Sequence, residues 1–316
     1  VVTDRRTILV TDDRFREQAA EETDVDEVVC RDKRMATEVA GLCSDLGITT
    51  VGITASRVNY ADWCTLGKEA PGLELRALSH GLPEKMRVCK SEAEIEAIRR
   101  AVEVNEEAMR RWLDTLADGQ TESEMAARLE YEQRLAGARC PSFETICVTG
   151  PRSSMPHART GTERIKPDCG VLLDWGARVD GYCSDLTRMV SVGKMPQKME
   201  ELTEIATEAQ QAALEKLQPG VPVSDVDEAA RSVIKERGYG PNIAHSCGHG
   251  VGLDVHEMPR LSMKEETELA PGMVVTVEPG IYIEGVAGAR VEDVAVVTRN
   301  GHQLLSSLPK TVSTNL

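Results

Sequence analysis

The sequence predicts an α+β fold: a helix–helix–sheet unit occurring twice over residues 89–316, preceded by a small α/β unit over residues 1–88. Two observations carry this. A shift of 101 residues places Gly119 on Gly220, Ser123 on Ser224, Glu124 on Asp225 and Gly137 on Gly238, and each helix pair so aligned is followed by apolar, strand-like runs. Ahead of them, short apolar runs alternate with helical stretches, the pattern of βα units.

In the first unit, Ile8-Leu9-Val10 reads as a buried strand, Arg14 to Glu22 as a helix, and Val28-Val29 as a second strand. A helix from Met35 to Leu46 should stop at Gly47, a natural left-handed cap. Residues 48–53 read as a third strand, and Gly81-Leu82-Pro83 punctuates the end of the unit. The chain opens at Val1 almost directly in a strand-like run at 7–11, so a preceding segment is expected.

In the second unit, Ser91 and Glu94 have the spacing of a capping box. Ile95, Ile98, Val102, Met109, Trp112 and Leu116 follow at helical intervals, and Asp118-Gly119 ends the run. Thr121 with Glu124 starts a second helix that should end at Gly137. The later pair runs from Pro196 to Leu217 and from near Ser224 to Gly238, broken by Pro219-Gly220. Strands are expected at 171–178, 182–192, 273–278 and 289–298.

Composition bounds the function. The chain has 316 residues, 41% of them hydrophobic, enough for a sizeable core. Its net charge of −15 argues against nucleic acid, which demands clustered Lys and Arg. No stretch approaches the roughly 20 apolar residues of a membrane span, and no signal peptide opens the chain, so no membrane role is expected. Nine cysteines without a C-x-x-C spacing read as reduced thiols of a cytoplasmic protein.

Four carboxylates sit where apolar residues are expected. Asp174 interrupts the run Val171-Leu172-Leu173, and Asp180-Gly181 has the form of a two-residue type I′ hairpin turn. That turn pairs Val179 with Tyr182 and Gly176 with Asp185, which sets Asp174 and Asp185 one diagonal step apart on one face, roughly 7–8 Å between backbones. Converging buried acids repel unless a cation or proton lies between them. Glu278 ends the apolar run 273–277, and Glu292 reads as part of another apolar strand, on the face of Arg290, Val294 and Val296. His245, His249 and His256 lie in a glycine-rich stretch, where glycine permits close backbone approach to a ligand. His256-Glu257 is not an H-E-x-x-H zinc motif, since Arg260 stands where the second histidine would be. A thiolate-free, carboxylate-rich set suits Mn²⁺, and Co²⁺ or Zn²⁺ less decisively, and four carboxylates suit two divalent ions better than one.

These segments together resemble the pita-bread metallopeptidases, in the branch of Xaa-Pro aminopeptidase and Xaa-Pro dipeptidase (prolidase). The resemblance lies in the runs 142–150 with Pro156-His157, 173–177, 181–188, 248–257, 271–280 and 290–293, which together span the second unit. Residues 9–19 are similar to an element of the family's creatinase-like amino-terminal domain, which is expected to be incomplete here. The resemblance implies Asp174, Asp185, His249, Glu278 and Glu292 as ligands of two divalent ions, with Asp185 and Glu292 shared. It implies Glu278 as general base and acid, His157 and His256 as catalytic contacts to substrate, His245 lining the site, and Arg260 and Arg290 on the substrate's carboxyl side. It also implies an Xaa-Pro peptide substrate and a homodimer. A short first domain should leave the cleft open, so Xaa-Pro aminopeptidase activity is expected. Xaa-Pro dipeptidase is the alternative, and a non-catalytic binding scaffold a remote one, since a scaffold should have lost ligands and all five are present.

Overall fold

The computed structural model describes residues 1–78 and 81–314. The chain divides into two compact units, Val1–Lys85 and Met86–Leu316. The division falls slightly before the expected one, and Gly81-Leu82-Pro83 opens an element rather than closing one. Leu82–Val88 is a helix with Pro83 in its first turn, where a missing N–H leaves no bond unmade.

The first unit contains two parallel strand pairs, each joined through a helix, as parallel neighbours require. Ile8–Thr11 pairs with Glu27–Cys30 across Arg16–Glu22, and Thr50–Thr54 pairs with Glu74–Leu78 across Tyr60–Glu69. Between the two pairs runs the helix Met35–Asp45, followed by Gly47 at φ 66°. Its small core gathers Ala36, Ala40 and Leu66 against Val51, Ile53 and Leu75.

The second unit begins with the helix Glu92–Leu113, capped by Ser91 and Glu94 in a reciprocal box, and then Glu122–Ala136, capped in the same way by Thr121 and Glu124. The second helix ends at Gly137, φ 113°. Gln197–Lys216 and Val223–Glu236 form the later pair, whose first residues follow Pro196 and Pro222 with no side-chain cap. The difference is testable. Thr121→Ala removes the hydroxyl that accepts from Glu124 N at 3.1 Å, and should lower stability by about 1 kcal/mol. The midpoint of thermal or urea unfolding measures it, and an unchanged midpoint would mean that neighbouring contacts hold this helix start.

Two larger sheets follow. One has the strand order 311–314, 186–192, 169–175, 146–149, and the other 257–261, 248–250, 274–277, 293–298, 301–304. The strands 146–149, 169–175, 186–192, 274–277 and 293–298 are mostly apolar and almost wholly buried, whereas the edge strands 301–304 and 311–314 are polar and partly exposed. Leu172 and Met189 on one face, with Val275, Val277 and Ala295, pack against the later helix pair through Leu202, Ala206 and Ile234. Val171, Leu173 and Val190, with Val274, Val294 and Val296, pack on Ile98, Met109, Trp112 and Leu129 of the earlier pair. The expected turn is present, with Asp180 at φ 49° and Gly181 at φ 86°.

Two of the expected strands break at the residues that matter most. The run 182–192 divides into Tyr182–Cys183 and Leu186–Val192, leaving Ser184 and Asp185 between them. The run 289–298 divides into Ala287–Arg290 and Asp293–Thr298, which belong to different sheets. Glu292 therefore lies at a crossing between sheets and not within a strand. A period-2 reading cannot detect such a crossing, because both sides are equally buried and apolar.

Candidate metal centre

The hairpin register follows directly from the turn. Val179 pairs with Tyr182 and Arg178 with Cys183, and beyond the irregular residues Trp175 pairs with Leu186 and Asp174 with Thr187. Asp174 thus stands one diagonal step from Asp185. From the other sheet, His249 lies in the strand Gly248–Gly250, and Glu278 directly follows Val274–Val277. Asp185, His249 and Glu292 each offer a ligand atom, all within 4.8 Å of one another. His249 Nε2 is 3.6 Å from Asp185 Oδ2 and 3.3 Å from Glu278 Oε1. Its Nδ1 lies 3.1 Å from Gly250 O, the bond that fixes the tautomer leaving Nε2 toward the carboxylates.

Two glycines let these segments approach. A Cβ on Gly176 would lie 2.2 Å from Ser184 O, and one on Gly248 would lie 2.0 Å from Thr276 O. Helix side chains hold the same strand ends. Asn105 Nδ2 donates to Trp175 O and Gln133 Nε2 to Gly176 O, each at 2.9 Å. Gln210 Nε2 donates to Val277 O at 2.8 Å and to Val291 O at 3.4 Å, the carbonyls just before Glu278 and Glu292.

Buried positive charge offsets part of the acidity. Arg290, 3% exposed, donates to Asp174 Oδ2 at 2.5 Å, Tyr282 Oη at 2.6 Å and Thr187 Oγ1 at 3.0 Å. Thr187 in turn donates to Glu292 Oε2 at 2.8 Å. Arg188, fully buried, pairs with Asp293 at 2.8 Å and donates to Glu292 O. Burial and the neighbouring acids Glu292, Asp174 and Glu278 push the Asp185 carboxyl well up. Burial with Glu278 and Asp174 does the same to Glu292. Asp174 is also raised by burial, against the opposing pull of Arg290. Glu278 goes the other way: burial would raise it, but the His249 hydrogen bond and charge bring it to about 2.

The remaining expected residues surround this cluster. His245 Nε2 lies 2.8 Å from Tyr282 Oη, and its Nδ1 is 4.0 Å from Glu278 Oε2. The His256 ring meets His249 edge-on at 4.3 Å between centroids. Its imidazole is pushed below the usual range by burial and by His249. His157 is exposed on its loop and near enough to Asp174, His245 and His256 to bear on their charge. Arg260 is exposed, with Nε 3.3 Å from Ser246 Oγ. Arg290 stands apart from this rim, buried among Asp174, Thr187 and Tyr282. Cys183 and Cys247 flank the cluster, but burial drives both thiols up, which keeps them un-ionised. Thr187, Tyr282, Asn105, Gln133 and Gln210 are absent from the sequence reading. Asn105, Gln133 and Gln210 each carried a usable signal, a polar side chain within the apolar stripe of its helix.

The donor set fits divalent cations. Asp174 Oδ1 and Glu292 Oε1 are buried carboxylate oxygens without a hydrogen-bond partner, a costly state that a cation relieves. Carboxylates and one imidazole converging from two sheets flanked by paired helices, and facing exposed histidines and an arginine, fit a metallopeptidase. The sequence profile described as Metallopeptidase family M24 matches residues 96–299, and the chain belongs to that family. It has the pita-bread fold, and the family's chemistry requires divalent metal. An Xaa-Pro dipeptidase from Pyrococcus horikoshii is 41% identical over 260 residues, covering 82% of this chain and 74% of that protein. An Xaa-Pro dipeptidase from Bacillus anthracis superposes with a TM-score of 0.93 at 35% identity, covering 99% of this chain and 88% of that one. An X-Pro aminopeptidase from Thermotoga maritima gives 0.91 at 34% identity, covering 99% and 89%. Among the described residues, no helix is long and apolar enough to cross a membrane.

Proposed function

We propose that this metallopeptidase is an Xaa-Pro dipeptidase. The observation that carries the reading is the 41% identity to the Xaa-Pro dipeptidase of Pyrococcus horikoshii. The expectation of an aminopeptidase rested on a short first domain, and that feature does not discriminate. The dipeptidase of Bacillus anthracis and the aminopeptidase of Thermotoga maritima match the chain over the same 99%. The identity at the sequence level therefore favours the alternative.

In this reading Asp174, Asp185, His249, Glu278 and Glu292 would hold two divalent ions, Mn²⁺ by preference. Bound divalent ions supply Lewis acidity, lowering the pKa of water and polarising a carbonyl. Glu278 takes the proton of the attacking water and hands it to the departing proline nitrogen. His256, edge-on to His249 at the rim, donates an N–H to the oxygen of the scissile carbonyl. His157 and His245 line the substrate, the latter steered by Tyr282. Arg260 meets the proline carboxylate. Arg290 serves by holding Asp174, Thr187 and Tyr282 in place. Proline's fixed φ and missing N–H are what such a site selects. Unit 1 is assigned as a creatinase-like domain, the active form as a homodimer, and the setting as a reducing cytoplasm in keeping with nine free cysteines.

The test is kcat/KM for Ala-Pro against Ala-Pro-Ala on one Mn-loaded preparation. Ala-Pro should win by about tenfold or more, about 1.4 kcal/mol of transition-state binding. A preference of that size for the tripeptide would restore the aminopeptidase reading.

A further inference from the structure

Neither of two fully buried acids outside the metal cluster is used by the mechanism above, and they occupy related places in the two halves. Glu122 opens the second helix of the first half, with its side chain wholly buried. It accepts from Thr149 N at 2.9 Å, Arg152 Nε at 3.0 Å and Gly161 N at 2.9 Å. Thr149 Oγ1 adds a longer bond at 3.4 Å, and Arg152 Nη2 reaches Arg159 O at 2.5 Å. One carboxylate thus ties both ends of the loop 149–161, and His157 lies inside that loop. Arg290 Nη1 adds a single bond to Pro156 O at 3.3 Å.

Asp227 is on the second helix of the later half, one turn further along than the residue aligned with Glu122. It is 1% exposed and accepts from Cys247 N at 3.0 Å, Met263 N at 3.0 Å and Arg231 Nε at 2.9 Å. Arg231 Nη2 donates to His245 O at 2.7 Å. Here again an acid–arginine pair anchored on the helix grips the backbone of a segment that carries a site histidine.

A buried ion pair is weak evidence for stability, since desolvation offsets much of its attraction. Its geometry, however, is directional. Charge-assisted bonds to backbone N–H groups fix where a loop runs. We propose that Glu122 with Arg152, and Asp227 with Arg231, are positioning pairs that set His157 and His245 against the substrate. This rests on the reading of those histidines as substrate contacts.

The experiment is a double-mutant cycle on the full, Mn-loaded chain with Ala-Pro as substrate. Glu122→Gln should lower kcat/KM by about tenfold or more with metal content unchanged. On a His157→Ala background the same change should cost less than about twofold, because the residue it positions is already gone. Asp227→Asn should behave likewise against His245→Ala. Equal losses on both backgrounds would overturn the positioning role and leave only a structural one. His157→Ala with wild-type activity would instead overturn the site reading beneath it, and is seen before any double variant is made. Arg152→Lys runs the same cycle with the carboxylate and its backbone bonds retained, so a poorly folding Glu122→Gln protein does not end the test.

Discussion

An Asp185→Asn protein is expected to lose bound divalent metal and at least about a thousandfold in Xaa-Pro hydrolysis, roughly 4 kcal/mol of transition-state stabilisation. Asp185 is 5% exposed and lies between two segments from different sheets, with His249 at 3.6 Å and Glu292 in the same cluster. An amide fills the same space but supplies neither the charge nor a second ligand oxygen. The loss should not come from unfolding. Without metal, the ionised Asp185 is a burden on the fold, since its carboxyl is pushed well up by burial and by Glu292, Asp174 and Glu278. A raised carboxyl destabilises the folded state as pH rises above its unfolded value of about 3.9. In chelator near pH 7, Asp185→Asn should therefore melt no lower than the wild type. Elemental analysis, activity and a melting curve read the three quantities, and full metal content with full activity would end the assignment.

Glu278→Gln should lower kcat by about 10²–10⁴-fold even at saturating Mn²⁺, the range of a lost general acid–base. Glu278 turns one carboxylate oxygen toward His249 Nε2 at 3.3 Å and the other toward His245 at 4.0 Å. Glutamine retains the shape but cannot carry a proton. Metal affinity should weaken as well, so the measurement must be made on a saturation curve. A variant that regains more than about a tenth of the wild-type kcat with added Mn²⁺ would assign the proton transfer to another group.

Much of this centre was legible because burial makes charge conspicuous. Asp174 and Asp185 follow from one turn, Asp180-Gly181, whose register carries through the irregular residues to Thr187. His249 stood out through its glycine neighbours and Glu278 through the apolar run before it. Glu292 is conspicuous in the sequence by its anomaly, but it lies outside the strand expected for it, since a crossing between sheets leaves no trace in hydrophobic period. Arg290 was read as facing substrate, whereas the fold buries it against Asp174 and Tyr282. No pattern distinguishes an arginine aimed inward from one aimed outward at a strand end. The helix Tyr60–Glu69 and the strand Glu74–Leu78 were not anticipated, for a simpler reason. The helix buries Leu66 alone and contains Gly67, so it has almost no apolar stripe, and Asn59 capping it was the one local cue.

The glycines at 176 and 248 give the site a particular evolutionary stiffness. Most enzymes space their working groups through side chains, which a substitution can lengthen or shorten by small increments. Here the carbonyls of Ser184 and Thr276 lie where any Cβ on Gly176 or Gly248 would have to sit. The distance between the neighbouring segments that carry the acids and His249 is thus set by backbone resting on backbone. In a randomised library selected for turnover, these two positions should be as invariant as the carboxylates themselves, although a glycine has no side chain with which to ligate an ion or carry a proton. Drift in this centre has no gradual route through them, so variation in substrate preference must be sought in the surrounding loops.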